Sequence, residues 1–284
     1  MVYIHTVAVN NPKFIELQYL TLKKFVKNDF EFVVYNDAKS WNDLTNFNNF
    51  DKQYTKNEIT KTCESLNIKC IDIPNLHHST YRFDPSDRNA NSINFIYKDL
   101  LTINKPSLFI DSDMFIINDI DILEKYKNYN LAVVPQYRQM PICINNISSV
   151  LDVKYFWTGL YYFDMPNMKN KNLMDFNKIP HTDTGGATYD YLMNNDDTEN
   201  PIYDIKFLKS NCWNASNLPS FINRKVLNFL ENDPKNYSEK YYAELYDDTY
   251  FHLRAATNWD YAGFNVNNKR NTILYDTIID ILKS

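Results

Sequence analysis

Over the first 118 residues, short apolar runs alternate with amphipathic stretches. Tyr3 to Val9 (YIHTVAV) is rich in β-branched residues and reads as a buried strand. Asn10-Asn11-Pro12 then opens a helix with apolar positions at Phe14, Leu17, Leu20 and Leu22. Phe30 to Asp37 (FEFVVYND) is a second strand that closes on a polar pair. A polar, Asn-rich stretch from Ala38 to Lys56 leads into a helix to Leu66, and Ile68 to Pro74 is a third strand. Asn75 to Asn89 reads as a loop, Asn89 to Leu101 as a helix, and Leu108 to Ile117 (LFIDSDMFII) as another strand. This alternation predicts an α/β fold: a mixed, mostly parallel sheet flanked by helices. In such sheets ligands bind beyond the carboxyl ends of the strands.

Past residue 118 the pattern changes. Leu131 to Tyr137 and Tyr155 to Met165 are strand-like and aromatic, and TGGATYDYLMNN is a turn into a helix starting near Ala187. Asn223 to Asn232 fits a short helix, Asp247 to Trp259 a strand running into a loop, and Asn271 to Ser284 an amphipathic helix. Neither a repeat nor a flexible linker interrupts the chain. The expectation is a single domain, with residues 1–118 as the nucleotide-binding half and 119–284 completing the pocket.

Composition narrows the classes. The chain has 284 residues, ample for a sizeable core. A net charge of −5, with Lys and Arg scattered singly, argues against nucleic acid as a partner. Cys63, Cys70, Cys143 and Cys212 form neither a CxxC pair nor a disulfide framework, and read as reduced thiols of a cytoplasmic protein. The opening MVYIHTVAVNNPKF reads as neither a signal peptide nor an anchor, and no apolar run is long enough to span a membrane. With only 4 glycines in the chain, each one is informative.

The chemistry centres on Asp111 and Asp113. Along a regular strand, residues two apart share a face; if the strand ends there, both carboxylates reach the cleft at its C-terminal edge. Two converging anions raise each other's pKa unless a cation sits between them, and oxygen ligands suit Mg²⁺ or Mn²⁺. The plain alternative is a pair of solvated loop carboxylates. A second pair, Asp119 and Asp121, precedes the helical ILEKYKNY and is explained by helix capping.

SLFIDSDMFIINDI resembles the DxD region of glycosyltransferases with the GT-A (Rossmann-like) fold: an apolar strand, D-x-D, more apolar residues, then a turn into a helix. The resemblance implies that Asp111 and Asp113 hold Mn²⁺ or Mg²⁺ on the diphosphate of a nucleotide sugar, a UDP-sugar by preference, with Asp111 also meeting the ribose. FHLRAATNW resembles the late HxxGxxKPW-like motif of the retaining family that includes glycogenin and bacterial galactosyltransferases, with His252 as the third metal ligand. Here Ala255 stands for the family's glycine and Thr257-Asn258 for its lysine and proline, so Arg254 or Asn258, beside Trp259, takes the phosphate-binding role. Without the motif around it, His252 reads as a hydrogen-bonded histidine on a strand edge; with the motif the two readings stand level.

The remaining donor-binding set runs from Val7, Ala8 and Asn10 at the end of the first strand, through Asn36 and Asp37, to Arg88, Ser112 and Gly159. The resemblance gives Arg88 the diphosphate, which suits its bidentate geometry, and gives Gly159 the role of leaving room for the sugar. Trp157 is read as either core or a sugar-stacking face, and Tyr161 and Phe163 as core. Gly185-Gly186 ahead of a helix reads as exposed N–H groups fit for a hydroxyl or anion. Asp183 binds sugar hydroxyls or orients the acceptor, or else it or Thr184 caps the helix; Asp190 is a second catalytic candidate. His77, His78 and His181 read as surface residues. The acceptor, a saccharide or a glycan or protein, is left open by the sequence. A non-catalytic or degenerate sugar-binding protein is one rival. A sugar nucleotidyltransferase is the other, disfavoured because NNPKF follows the first strand where a Gly-rich loop belongs.

Overall fold

A computed structural model of the protein describes residues 1–38, 56–74, 85–144, 147–209, 226, 229, 243–254, 256 and 264–284. The elements of the first part of the chain are β1 (Val2–Ala8), α1 (Pro12–Phe25), β2 (Phe30–Asn36), α2 (Lys56–Ser65), β3 (Lys69–Asp72), α3 (Pro85–Ile103), β4 (Pro106–Ile110) and β5 (Met114–Ile116). They are followed by α4 (Ile122–Tyr126), β6 (Leu131–Ile144), β7 (Ile147–Asp164), α5 (Thr188–Met193), β8 (Ile202–Asp204), β9 (Phe207–Lys209), β10 (Ala243–Tyr246), β11 (Tyr250–Leu253) and a last helix, Phe264–Lys283.

The fold is α/β, as expected. A seven-stranded, mostly parallel sheet has the order β3-β2-β1-β4-β7-β6-β8. Within it β2/β3, β1/β4 and β6/β8 are parallel and β6/β7 antiparallel. A four-stranded antiparallel sheet has the order β5-β11-β10-β9.

The chain forms two compact units. The first gathers Met1–His5, Ile73–Phe109 and Leu123–Ile205; the second gathers Thr6–Asp72, Ile110–Ile122 and Lys206–Ser284. The first unit is centred on aromatic side chains of β7. Tyr161 stacks on Phe109 and Phe163 at 5.0 and 4.5 Å between ring centroids, and Tyr161 and Phe163 are core, as read. In the second unit α1 starts with Pro12, whose missing N–H costs nothing in the first turn, and buries Phe14, Leu17, Gln18 and Leu22. Phe14 meets Phe115 of β5 edge-to-face at 5.4 Å. At the other end of α1, Lys24 donates to the carbonyls of Ile281 and Leu282 at the end of the last helix, where a cation complements the dipole.

Several boundaries differ from the sequence reading. The strand expected over 108–117 is two strands, broken at Asp111–Asp113 and assigned to different sheets. The helix expected from Asn89 starts at Pro85, which suits the first helical turn. β6 and β7 extend to Ile144 and back from Ile147, through residues, Pro141 and two serines among them, to which the sequence reading assigned no element. Past Val133, β8 no longer flanks β6, so Pro141 sits where no ladder bond is lost. The expected strand from Asp247 is a hairpin, β10–β11. Its turn is made by Asp247 and Asp248 at φ 45° and 58°, a conformation short polar side chains tolerate. Ahead of α4, Oδ1 of Asn28 accepts the Ile122 N–H at 2.7 Å and the Asn28 amide donates to Asp121 at 2.8 Å. The last helix begins at Phe264, ahead of Asn271. Of the helix expected over 223–232, only Val226 and Phe229 are described, both in helical conformation.

Candidate metal centre

The break between β4 and β5 is what makes a site. Met114 donates its N–H to the carbonyl of Asp111 at 3.0 Å, closing a tight turn through Ser112 and Asp113. An Asp at the start of such a turn is favoured because its side chain can accept a nearby N–H. Here Oδ1 of Asp111 takes that of Ser112 at 2.7 Å. Fully buried Gln18 of α1 clamps the turn from behind: its Nε2 donates to the carbonyls of Asp111 (2.7 Å) and Met114 (3.0 Å).

Asp113 is buried and fully engaged. Its carbonyl accepts the N–H of Leu253 at 2.9 Å, Oδ2 accepts that of Ala256 at 3.0 Å, and Oδ1 lies 3.1 Å from Nε2 of His252. His252 arrives because β11 pairs with β5 in the register His252↔Met114. Asp111, Asp113 and His252 each present one ligand atom, and these atoms lie within 4.8 Å of one another. Two carboxylate oxygens and one imidazole nitrogen fit Mn²⁺ or Mg²⁺ by their chemistry.

Behind His252 stands a residue that the sequence reading missed. Glu244 lies directly across the ladder from His252, and its Oε2 is 2.8 Å from Nδ1 of the imidazole. The same oxygen accepts the Tyr246 hydroxyl at 2.6 Å, and Oε1 is 3.9 Å from the Arg254 guanidinium. The available signal was the alternation in AELY, which puts Glu244 and Tyr246 on one face of a strand whose other residues are apolar.

The charges respond to one another. Burial opposes a charged His252, yet Asp113 and Glu244 on its two nitrogens outweigh that and lift its pKa to about 10. Burial, then the neighbouring Asp113, pushes Asp111 up to about 6. Burial likewise disfavours ionised Glu244, but its hydrogen bond from His252 holds it below the usual carboxylate range. The centre therefore gathers three carboxyl groups around one imidazole, an arrangement that attracts a cation.

Other expected residues of this unit are placed as follows. Val7 and Ala8 are buried, and the Ala8 carbonyl accepts the N–H of Asp37 at 2.9 Å. Asn10 and Asp37 are buried too. The Asn36 amide is engaged within the protein, donating to the Lys56 carbonyl (2.9 Å) and the Thr60 hydroxyl (3.3 Å) and accepting from the N–H of Ala38 (3.1 Å). Ser112 is buried in the turn and Arg254 is exposed beside Glu244. Asn258 and Trp259 lie outside the described residues, as do His77 and His78.

In the other unit, Arg88 is half-exposed near the start of α3. Gly159 falls where the register of β7 with β6 jumps from Tyr161 to Trp157 while β6 advances by one, a bulge through Thr158, Gly159 and Leu160. A Cβ on Gly159 would stand 2.0 Å from the Trp157 ring, so the space above this glycine is filled by the indole. The reading of Gly185-Gly186 as exposed donors needs correction. The N–H of Gly185 is bonded to the Phe176 carbonyl at 2.8 Å and that of Gly186 to the Asp183 carbonyl at 3.0 Å. These glycines answer to packing: Gly185 has φ +89°, and a Cβ there would meet the Phe156 carbonyl at 2.5 Å. Asp183 accepts the Ser86 hydroxyl at 2.5 Å and the Thr184 N–H at 2.8 Å, while Asp190 and His181 are exposed.

The sequence matches no protein-family model and no curated protein. Solved structures with a similar fold include a galactosyltransferase, LgtC, in complex with donor and acceptor sugar analogues (13% identity, TM-score 0.36, 58% of each chain covered). A second is the bifunctional glycosyltransferase WbbM (13% identity, TM-score 0.37, 61% of this chain and 33% of that one). The chain covers less than two thirds of the length of either. At such identity and overlap these similarities assign neither a family nor an activity. Among the described residues, no helix is long and apolar enough to cross a membrane.

Proposed function

We propose that the protein is a metal-dependent glycosyltransferase of the GT-A kind, moving a sugar from a UDP-linked donor to a saccharide, glycan or protein acceptor. One observation carries this reading: Asp111, Asp113 and His252, 139 residues apart at the extremes that pair, converge on a common point. Transfer from a nucleoside diphosphate sugar leaves a highly charged diphosphate, and Mn²⁺ or Mg²⁺ held there would neutralise it as the glycosidic bond breaks. Losing stabilisation of this kind costs on the order of 10²-fold or more in rate.

The chain's own residues supply the holding. The Leu253 N–H holds the backbone carbonyl of Asp113, and the Ala256 N–H, on Oδ2, orients its carboxylate. Asp111 accepts from Ser112 through Oδ1, and among the described residues the hydrogen bonds of its carboxylate fall on that oxygen. Burial, and then the neighbouring Asp113, hold its pKa above the usual carboxylate range, and a cation between the two would relieve both effects. His252 binds as a ligand only through an unprotonated Nε2, with Nδ1–H donated to Glu244. The ends of β1 and β2, Val7 to Asn10 and Asn36-Asp37, belong to the same unit and are proposed to hold the nucleoside.

The test is a thermal-shift screen of UDP, GDP and their sugar conjugates with and without Mn²⁺. The expected result is stabilisation by UDP ligands that requires the metal and vanishes in Asp113→Ala. Ligand at a hundred times its Kd stabilises by about 2.7 kcal/mol, which is readily visible. Stabilisation indifferent to metal in both proteins would overturn the reading. Slow Mn²⁺-dependent hydrolysis of the donor separates an enzyme from a protein that only binds sugar nucleotides.

A further inference from the structure

The partners of His252 on the side away from Asp111 and Asp113 carry a further conclusion, which rests on the reading of the centre as a cation site. Nδ1 of the imidazole faces Oε2 of Glu244 at 2.8 Å, and Nε2 faces Asp113. Glu244 and His252 are direct cross-strand partners on β10 and β11, with Tyr246 on the same face as Glu244. Both carboxylate and imidazole are buried. A buried ion pair adds little to stability compared with an apolar pair of similar volume, so cohesion of the small sheet is a poor reason for one here. The arrangement matches what a metal-binding histidine requires. Such a ring donates its far N–H to a carboxylate, which fixes both the tautomer and the ring angle and raises the basicity of the nitrogen facing the ion.

We infer that Glu244 is a positioning residue for the metal centre, holding Nδ1–H of His252 so that Nε2 is presented to the cation, with the Tyr246 hydroxyl fixing Glu244 in turn. Glu244 itself does not ligate, because its oxygens lie on the opposite side of the ring from Asp113. The hydroxyl at 2.6 Å binds the same oxygen as the imidazole. That leaves Oε2 with two donors and little freedom to rotate, while Oε1 lies toward the Arg254 guanidinium. The order of action is Tyr246 on Glu244, Glu244 on His252, and His252 on the ion.

Two readouts on the full chain test this, with the wild type, Glu244→Gln, Glu244→Ala and Tyr246→Phe. Glutamine keeps the volume and an oxygen that accepts Nδ1–H, so it guards against misfolding as the explanation; thermal unfolding of each variant checks the fold. The first readout needs no metal. In ¹⁵N-histidine-labelled protein, the Nδ1–H of His252, assigned by loss in His252→Ala, gives a slowly exchanging downfield proton in the wild type. That signal should remain in Glu244→Gln and disappear in Glu244→Ala. The second is Mn²⁺ affinity by loss of the free-ion electron paramagnetic resonance signal. Glu244→Ala is expected to bind 10- to 100-fold more weakly, Tyr246→Phe several-fold more weakly, and Glu244→Gln to recover most of the affinity. A persistent Nδ1–H signal in folded Glu244→Ala, or wild-type Mn²⁺ affinity in that variant, would overturn the inference. Wild-type protein that binds no Mn²⁺ would instead overturn the cation reading, and the ring signal still decides whether Glu244 orients His252.

Discussion

His5 and His252 are both buried on strands, in different units, and the protein treats them in opposite ways. His5 on β1 is walled by the rings of Tyr3, Phe109 and Tyr161 at 5.4–6.0 Å. Burial drives its pKa down to about 3, offset only in part by the backbone of Tyr3. His252 sits between two carboxylates, and its pKa climbs to about 10. Burial is common to both, so burial alone says nothing about the role of a histidine. The groups on its two nitrogens decide, and only the second site is wired to accept positive charge.

The comparison can be sharpened most strongly by removing a partner of His252. Asp113→Ala leaves buried His252 with Glu244 alone and deprives the N–H of Ala256 of its carboxylate acceptor, while the bond from Leu253 to the backbone carbonyl is kept. Breaking one side of a buried pair costs about 3 kcal/mol or more. Denaturant unfolding of the metal-free protein at pH 7 is expected to show that loss, and an unchanged midpoint would mean that the ion pair is not formed. The wild type also carries a pH signature here. The folded chain keeps the His252 proton up to about pH 10 while the unfolded chain releases it near 6.5. That stabilisation is therefore complete below pH 6.5 and drains away as pH rises towards 10.

His5 runs the other way. Below pH 6.5 the unfolded chain takes up a proton that the folded chain refuses until about pH 3. Its contribution is whole above 6.5 and is lost as pH falls. Replacing it, as His5→Phe, removes the linkage. The stability of the variant relative to wild type should rise by about 1.4 kcal/mol for each pH unit between 6 and 4, measured by urea unfolding. Parallel profiles would show that His5 is protonated or open to water. The smallest expected effect is a control with no pH signature. Gly185→Ala forces a Cβ into the left-handed region against the Phe156 carbonyl and should cost about 1–2 kcal/mol at every pH, with Mn²⁺ affinity unchanged.

What could be read from the sequence follows the same division. Asp111 and Asp113 stood out because paired charges in an apolar run demand compensation, and His252 stood out through the motif resemblance. The strand–helix alternation up to residue 118 gave the α/β class and most of the first elements. Glu244 and Gln18 did not stand out. Their importance comes from a cross-strand register and from a contact 96 residues apart, neither of which leaves a local pattern. The break of the strand at Asp111 was one of two branches open to the sequence, settled by a turn bond and the Gln18 clamp. The glycine pair misled because its scarcity suggested a ligand, whereas close packing against Phe156 and Thr182 accounts for both positions. The long β6–β7 hairpin was missed because Pro141 and exposed polar residues on an edge carry no strand alternation.

The most direct measurement is Mn²⁺ binding by the wild-type protein as a function of pH, by calorimetry in buffers of different ionisation heat. A cation that takes the place of the His252 proton should bind once per chain, release about one proton, and gain roughly tenfold in affinity per pH unit from 7 to 9. Binding without proton release, or binding that survives loss of Asp111 and Asp113 together, would contradict the assignment of the ion to this centre.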